Sequence, residues 1–138
     1  SLYGFRGMEL KEKVKKALEF VGLWDRRKDL PSKFSGGMKR RLNIACAIAH
    51  EPELVIMDEP TVGIDPQSRN KILEAVKELY RAGTTVIYTS HYMEEIESLC
   101  NRIVLLDKGN VIEDLSKNDY IFPEEYRLQL FCWNDTHQ

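Results

Sequence analysis

Apolar residues near the start of the chain recur at the spacing of one helical face. Within the stretch Met8–Val21 they fall at i, i+4, i+7, i+8 and i+11, which are Leu10, Val14, Ala17, Leu18 and Val21. Gly22 follows where a helix can end. The stretch Met38–Ala49 is rich in alanine, leucine and isoleucine, and Ser35 stands where it can cap a helix. The pattern therefore predicts two helices. The buried face of the second is expected to contain Leu42, Ala45, Ile48 and Ala49.

Short apolar runs predict strands farther along. Leu54–Met57 is apolar throughout, which is typical of a parallel strand buried on both faces, and Thr84–Thr89 is rich in β-branched residues. A helix is predicted after Asp65-Pro66, another over Tyr92–Cys100, and a third strand over Arg102–Leu106 turns into a hairpin. This order predicts an α/β fold with a parallel sheet and crossover helices, whose chemistry lies beyond the carboxyl ends of the strands.

Composition narrows the class of protein. The chain has 138 residues, of which 43% are hydrophobic and 30% charged, with a formal net charge of −2. These values fit one globular domain and give no global basic field to attract nucleic acid or anionic lipid. The 3 cysteines are far apart, which suits neither a disulfide framework nor paired zinc ligands. A reducing cytoplasm is the simpler interpretation.

Polar pairs end two of the predicted strands. Asp58 can hold Mg²⁺, and Glu59 can orient or deprotonate a water. His91, after Ser90, can donate a hydrogen bond to a terminal phosphate. Each motif alone also has a structural explanation, because acidic pairs often begin solvated loops and a lone histidine is more often structural. Asp65 is ambiguous in the same way, since Asp-Pro is a good helix start.

A serine and two glycines precede the second predicted helix. Ser35, Gly36 and Gly37 offer a hydroxyl, bare backbone N–H groups and the positive end of the helix dipole, which together suit a phosphate. A capped helix after a tight turn explains the tripeptide equally well. Taken alone, that plainer interpretation is preferred.

The motifs taken together resemble the ATP-binding cassette (ABC) family in order and spacing. They are Phe34–Met38 before a basic helix, Asp58–Pro60 after an apolar strand, Gly63–Pro66, and Ser90-His91 after the next strand. The resemblance covers Leu2 to about Glu113. Within the family, the sequence is most similar to the prokaryotic export branch, which serves drugs, polysaccharides or lipids. The resemblance implies the carboxyl-terminal part of a P-loop NTPase domain. Residues 1–34 would belong to a helical subdomain, 35–113 to the signature helix and catalytic α/β core, and 114–138 to a tail of unclear role.

The resemblance implies a role for each matching residue. Ser35, Gly36, Gly37 and Met38 match the signature loop, which contacts the γ-phosphate of ATP bound to the opposite subunit of a head-to-tail dimer. Asp65 matches the loop that couples the two sites across that dimer.

The strand-end residues match the hydrolytic positions of the family. Asp58 matches the Walker B aspartate that holds Mg²⁺ through water, Glu59 the residue that polarises the attacking water, and His91 the switch histidine on the γ-phosphate. The resemblance thus implies ATP and Mg²⁺ as cofactors and a transmembrane permease as partner. It places the protein in the cytoplasm, on the inner face of the membrane through that permease, with no nucleic acid expected.

The sequence departs from the family pattern in two ways. Phe34 and Met38 replace the commoner leucine and glutamine, and no G-x-x-x-x-G-K-[ST] run occurs in these residues. We therefore expect the chain to begin inside the helical subdomain, without the phosphate-binding loop and the glutamine loop, and to be inactive alone. Unpaired strand edges and exposed apolar surface are also expected.

Two alternatives remain open at this point. DNA-maintenance ATPases share several of these elements, and Lys39-Arg40-Arg41 could contact a phosphate backbone, although a solvated face of the helix is the simpler interpretation. The chain could also be a non-catalytic, truncated subunit that modulates a complete ATPase.

Overall fold

The computed structural model describes residues 4–119 and 129–134. The described helices are α1 (Gly7–Phe20), α2 (Gly36–Ile48), α3 (Pro66–Arg81) and α4 (Met93–Leu99). The strands are β1 (Leu54–Asp58), β2 (Thr85–Ser90), β3 (Arg102–Asp107), β4 (Asn110–Ser116) and β5 (Gln129–Asn134). Short 3-10 turns occur at Trp24–Arg26, Pro31–Lys33 and Lys117–Asp119. Within these ranges, no helix is both long and apolar enough to span a bilayer.

The described residues divide into two compact units. The first contains residues 4–52 and 63–75, and thus α1, α2 and the first part of α3. The second contains residues 53–62, 76–119 and 129–134, and thus α4 and the strands. Each candidate cluster described below lies within one unit.

The first helix ends where its glycine predicts. α1 ends at Phe20, and Gly22 follows with a φ of 65°, a left-handed conformation that glycine adopts without steric cost. The Leu23 N–H donates to the Leu18 carbonyl at 2.8 Å, which satisfies a carbonyl of the last turn. On the predicted apolar face, Ala17 and Val21 are buried and Leu10 and Leu18 are half-buried, whereas Val14 is 41% exposed.

The second helix is capped as predicted. The Ser35 hydroxyl accepts a hydrogen bond from the Met38 N–H at 3.2 Å, so one unpaired donor of the first turn is satisfied. Ala45 and Ile48 are buried, which confirms half of the predicted face. Leu42 and Ala49 are only half-buried, and both line an apolar cavity of about 160 Å³ between α1 and α2.

One residue of the basic triplet is not on a solvated face. Lys39 is exposed, but Arg41 is 7% exposed, and its Nη1 donates to the Val21 carbonyl at 2.8 Å and, more weakly, to that of Gly22. The guanidinium therefore caps the carboxyl end of α1. The interpretation of the triplet as a solvated face is wrong for Arg41, since a long side chain can reach back across a helix pair to unsatisfied carbonyls.

The strands form one mixed sheet in the order β1-β2-β5-β3-β4. β1 and β2 are parallel, as predicted, and β5 is antiparallel to both β2 and β3. β1, β2 and β3 therefore run in the same direction. The sequence predicted no element beyond residue 114, whereas β4 continues through Ser116 and β5 lies between β2 and β3. The rest of the predicted tail, 120–128 and 135–138, lies outside the described residues.

The first strand is not buried on both faces. Val55 and Met57 are 5% and 6% exposed, but Leu54 and Ile56, on the opposite face, are 49% and 65% exposed. The prediction from the continuous apolar run is therefore wrong for this structure. An apolar run shows that both faces can be buried, whereas burial itself depends on the elements that pack against the sheet. The expectation of exposed apolar surface is confirmed here.

Met93, Ile96 and Leu99 are the apolar residues of the short helix α4, and Met93 is only half-buried. Ile96 and Leu99 are buried, and Glu95 lies on the same face with no exposed surface. Cys100 follows the helix and forms a disulfide bond, whereas the scattered cysteines predicted none; Cys46 is free.

Candidate functional site

Two polar segments meet at the carboxyl ends of the parallel strands. The register of β1 and β2 places Asp58 opposite Thr89, so the residues that follow each strand emerge at the same edge. There the His91 Nδ1 lies 3.3 Å from the Glu59 Oε1. The structure thus brings Asp58, Glu59 and His91 together at the edge that the element order predicts.

A residue that the sequence did not single out organises this edge. The Thr89 hydroxyl donates to the Asp58 Oδ1 at 2.6 Å and accepts from the Glu59 N–H at 2.8 Å. A hydroxyl has one proton and two lone pairs, so both contacts form together. Thr89 therefore orients the Asp58 carboxylate and the backbone of Glu59. In the sequence, only its position directly before Ser90-His91 indicated a role for Thr89 at the site. A β-branched residue is common in any strand and does not itself indicate a function.

The backbone of Glu59 is strained. Its φ is 42°, in the left-handed region that a residue with a side chain rarely adopts. The Glu59 carbonyl accepts from the Val62 N–H at 3.3 Å, which closes a turn over residues 59–62. Strained residues of this kind persist where the surrounding structure holds them and are common at functional sites.

The predicted phosphate-binding loop lies in the first unit. The space beside Gly36 is open: a Cβ built there would have no atom within 4 Å. Gly37 is buried, and a Cβ there would lie 2.2 Å from the Ser68 Oγ and 3.0 Å from the Asp65 Oδ2. The two glycines thus meet different needs: Gly36 leaves space at the helix N-terminus, and Gly37 permits close packing.

Asp65 supports the helix that begins beside this loop. Its Oδ1 accepts from the Ser68 N–H at 2.9 Å, which makes it the cap of α3, as Asp-Pro predicts. Hydrogen bonds from the Ser68 backbone and side chain hold the pKa of Asp65 below its usual value. In the same unit, burial lowers the pKa of Arg41, and the charge of Asp65 opposes this shift. Asp65 is therefore a helix cap in direct proximity to Gly37.

Asp58 offers a carboxylate to a cation that is bound together with a substrate. Among the described residues, no group of three or more His, Cys, Asp and Glu side chains could hold a metal ion. Mg²⁺ commonly keeps several waters and binds one or two carboxylates together with substrate phosphates. Asp58, exposed at the end of β1 and oriented by Thr89, fits that mode of binding.

Comparison with known families gives a match over the first part of the chain. Residues 4–62 match the family model described as ABC transporter. This range contains the segment around Ser35 and also Asp58 and Glu59.

Curated relatives match over most of this chain. The chain is 59% identical over 118 residues to the linearmycin resistance ATP-binding protein of Bacillus subtilis, which is 86% of this chain and 38% of that protein. It is 43% identical over 122 residues to a Nod factor export ATP-binding protein of Cupriavidus metallidurans, which is 88% of this chain and 40% of the relative. The chain thus spans less than half the length of these relatives.

Solved structures give the same result for the fold. An ATP-binding subunit of an ABC transporter superposes with a TM-score of 0.71 at 32% identity, over 85% of this chain and 49% of that one. An ATP-binding cassette of another ABC transporter gives a TM-score of 0.73 at 26% identity, over 81% of this chain and 44% of the other.

Proposed function

Because this chain is part of the ATP-binding cassette domain of the ABC transporter family, we propose that it contributes the hydrolytic and signature residues of a transporter ATPase. The reaction is Mg-ATP hydrolysis to ADP and phosphate. The observation that carries the proposal is the meeting of Asp58, Glu59 and His91 at one edge of the sheet.

Each residue at this edge has a role that its chemistry permits. Asp58 would hold Mg²⁺ through water, and an ion held there with ATP would supply positive charge to the phosphates. Glu59 orients the attacking water and accepts its proton, and His91 donates a hydrogen bond to the terminal phosphate. A carboxylate only accepts, so the contact with Glu59 requires a proton on the His91 Nδ1.

The signature loop acts on ATP held by a second subunit. Ser35, Gly36 and Gly37 present a hydroxyl and backbone N–H groups at the start of α2, and the space around Gly36 allows a phosphate to approach. The Met38 N–H holds the Ser35 hydroxyl in place as the helix cap. Asp65 couples this loop to the opposite site of a head-to-tail dimer. The phosphates themselves need a loop that these residues do not contain, so we expect no hydrolysis by this chain alone.

The names of the relatives support a proposal for the transported substrate class. Their names refer to linearmycin resistance, Nod factor export and daunorubicin/doxorubicin resistance. We therefore propose export of a drug, polysaccharide or lipid-like molecule through a partner permease, with the ATPase on the cytoplasmic face of the cell membrane.

The test is Mg-ATP hydrolysis by the purified chain and by the complete product of its gene, each with and without Glu59→Gln. We expect turnover only in the complete product, and a fall of roughly 10²- to 10⁴-fold on Glu59→Gln, because general base catalysis contributes about that much. Glu59-dependent turnover by the chain alone would contradict the proposed need for a separate phosphate loop. Turnover that is insensitive to Glu59→Gln would contradict the role of Glu59.

A second variant tests the signature loop separately. Gly36→Val adds a side chain where the surroundings are open, so it should leave the thermal unfolding midpoint of the chain nearly unchanged. In the complete gene product it should block the approach of the phosphate and remove most ATPase activity. Full activity of a folded Gly36→Val protein would show that Gly36 does not face the nucleotide.

A further inference from the structure

An acidic side chain occupies the interior of the second unit. Glu95 on α4 is 0% exposed, whereas Glu94 and Glu97 on the same helix are exposed. Burial of an ionisable group is costly unless hydrogen bonds compensate the lost hydration. None of the roles proposed above for ATP hydrolysis uses this carboxylate.

Among the residues that the structure describes, three hydroxyl groups donate to Glu95. The Thr61 Oγ1 donates to its Oε1 at 2.7 Å, and the Tyr88 and Ser90 hydroxyls each donate to its Oε2 at 2.8 Å. All three donors are buried. Hydrogen bonds to a charged acceptor are stronger than neutral ones, and the low local dielectric strengthens them further. Glu95 thus connects the loop after β1 to the end of β2.

Two of these donors lie beside the proposed reacting groups. Thr61 belongs to the turn that Glu59 opens, and the strained φ of Glu59 requires that turn to be held in place. Ser90 precedes His91, and its hydroxyl also accepts from the Tyr92 N–H at 3.0 Å. The segments that carry Glu59 and His91 are therefore both anchored to one carboxylate.

We propose that Glu95 is a positioning residue that bridges these two segments and thereby sets the separation of Glu59 and His91. This inference rests on the proposed function, because it assigns Glu95 to the same hydrolytic site. Glu95 acts through Thr61 and Ser90 and does not contact the nucleotide itself.

The first test uses the complete gene product. Glu95→Gln preserves the shape of the side chain but removes its charge and replaces one acceptor oxygen by an amide donor. We expect kcat to fall about tenfold or more, with the KM for ATP nearly unchanged, because a misplacement of reacting groups by about 1 Å can cost roughly 100-fold. Glu97→Gln on the exposed face is the matched control, and it should retain full activity.

The second test needs no catalysis and uses the chain itself. The ring nitrogens of His91 are followed by NMR in ¹⁵N-histidine-labelled protein, with the signals assigned by His91→Gln. We expect Glu59→Gln and Glu95→Gln each to shift these signals, and Glu97→Gln to leave them in place. A purely structural Glu95 would lower the unfolding midpoint without moving the His91 signals of the protein that remains folded.

Single-donor variants keep the tests decisive if Glu95→Gln does not fold. Thr61→Val and Ser90→Ala each leave the carboxylate with two of its three hydroxyl donors, and both should shift the His91 signals and lower kcat. Unchanged His91 signals and unchanged kcat in folded variants would overturn the proposal. Shifted signals in the chain, together with no Glu59-dependent hydrolysis by the complete product, would support the positioning role and reject the proposed function.

Discussion

The signature loop and the strand-end cluster are built in opposite ways. Gly37 allows the start of α2 to lie directly against Ser68, so this region depends on the absence of a side chain. The strand-end cluster depends on side chains that are present, since Thr89 joins Asp58 to Glu59 and Glu95 joins the flanking segments. The first region should therefore be sensitive to an added atom, and the second to a lost hydrogen-bonding group.

The largest effect on stability is expected from Gly37→Ala. Its Cβ would lie 2.2 Å from the Ser68 Oγ and 2.5 Å from the Ser68 Cβ, so the packing must shift. Overpacking of this kind typically costs about 1–3 kcal/mol of unfolding free energy. Urea unfolding of the chain measures the loss.

Two controls sharpen this prediction. Gly36→Ala adds the same methyl group in open space, and it should be neutral or slightly stabilising because alanine favours helix. Ser68→Gly in the Gly37→Ala background removes the clashing side chain and should recover part of the loss. Equal effects of the two alanine substitutions would contradict the difference between the glycines.

A smaller loss is expected from Thr89→Val. The substitution keeps the shape of the side chain but leaves the Glu59 N–H without its hydroxyl acceptor, which should cost about 1–2 kcal/mol of unfolding free energy. The Asp58 carboxylate is exposed and can accept a hydrogen bond from water instead, so losing its bond from Thr89 contributes little to the loss of unfolding free energy. Thr85→Val, at the other end of β2, is the matched control for the same urea titration. If both variants lose equal stability, Thr89 has no special place in the cluster.

The smallest effect is expected from Asp65→Asn, on the way stability falls with pH in acid. Its pKa is held below the usual 3.8 by hydrogen bonds from Ser68, so its contribution to stability is complete above pH 3.8. That contribution is lost as the pH falls through the lower folded-state pKa, because the protonated carboxyl caps the helix less well. Asp65→Asn should therefore weaken the decline in unfolding midpoint between neutral pH and about pH 2. Identical pH profiles for both proteins would exclude this linkage.

Much of the local structure could be predicted from short-range chemistry. Ser35 and Asp65 cap helices because a side-chain oxygen can reach the N–H three residues ahead, and Gly22 ends α1 because it tolerates a positive φ. The parallel pairing of β1 and β2 also followed from the order of elements, and it was enough to bring Asp58 and His91 to one edge. The roles of these residues in hydrolysis stay predictions.

Other features depend on contacts between residues that are distant in the chain. Glu95 had one signal in the sequence, since it lies four residues before Leu99 on the same helix, but the hydroxyl groups that donate to it could not be foreseen. Three more features depend on such distant contacts. They are the burial of Arg41, the exposure of Leu54 and Ile56, and the insertion of β5 between β2 and β3.

Sequence alone determined the helix caps, the order of helices and strands along the chain before β5, and the positions where polar groups could meet. Only the tertiary structure decided which polar groups do meet: Thr89 with Asp58 and Glu59, Glu95 with Thr61 and Ser90, and Gly37 with Ser68. The physical reason is the separation along the chain between the residues that interact. Caps and turns form between residues a few positions apart, whereas a buried hydrogen bond or a close backbone approach exists only after the elements that carry its partners have packed.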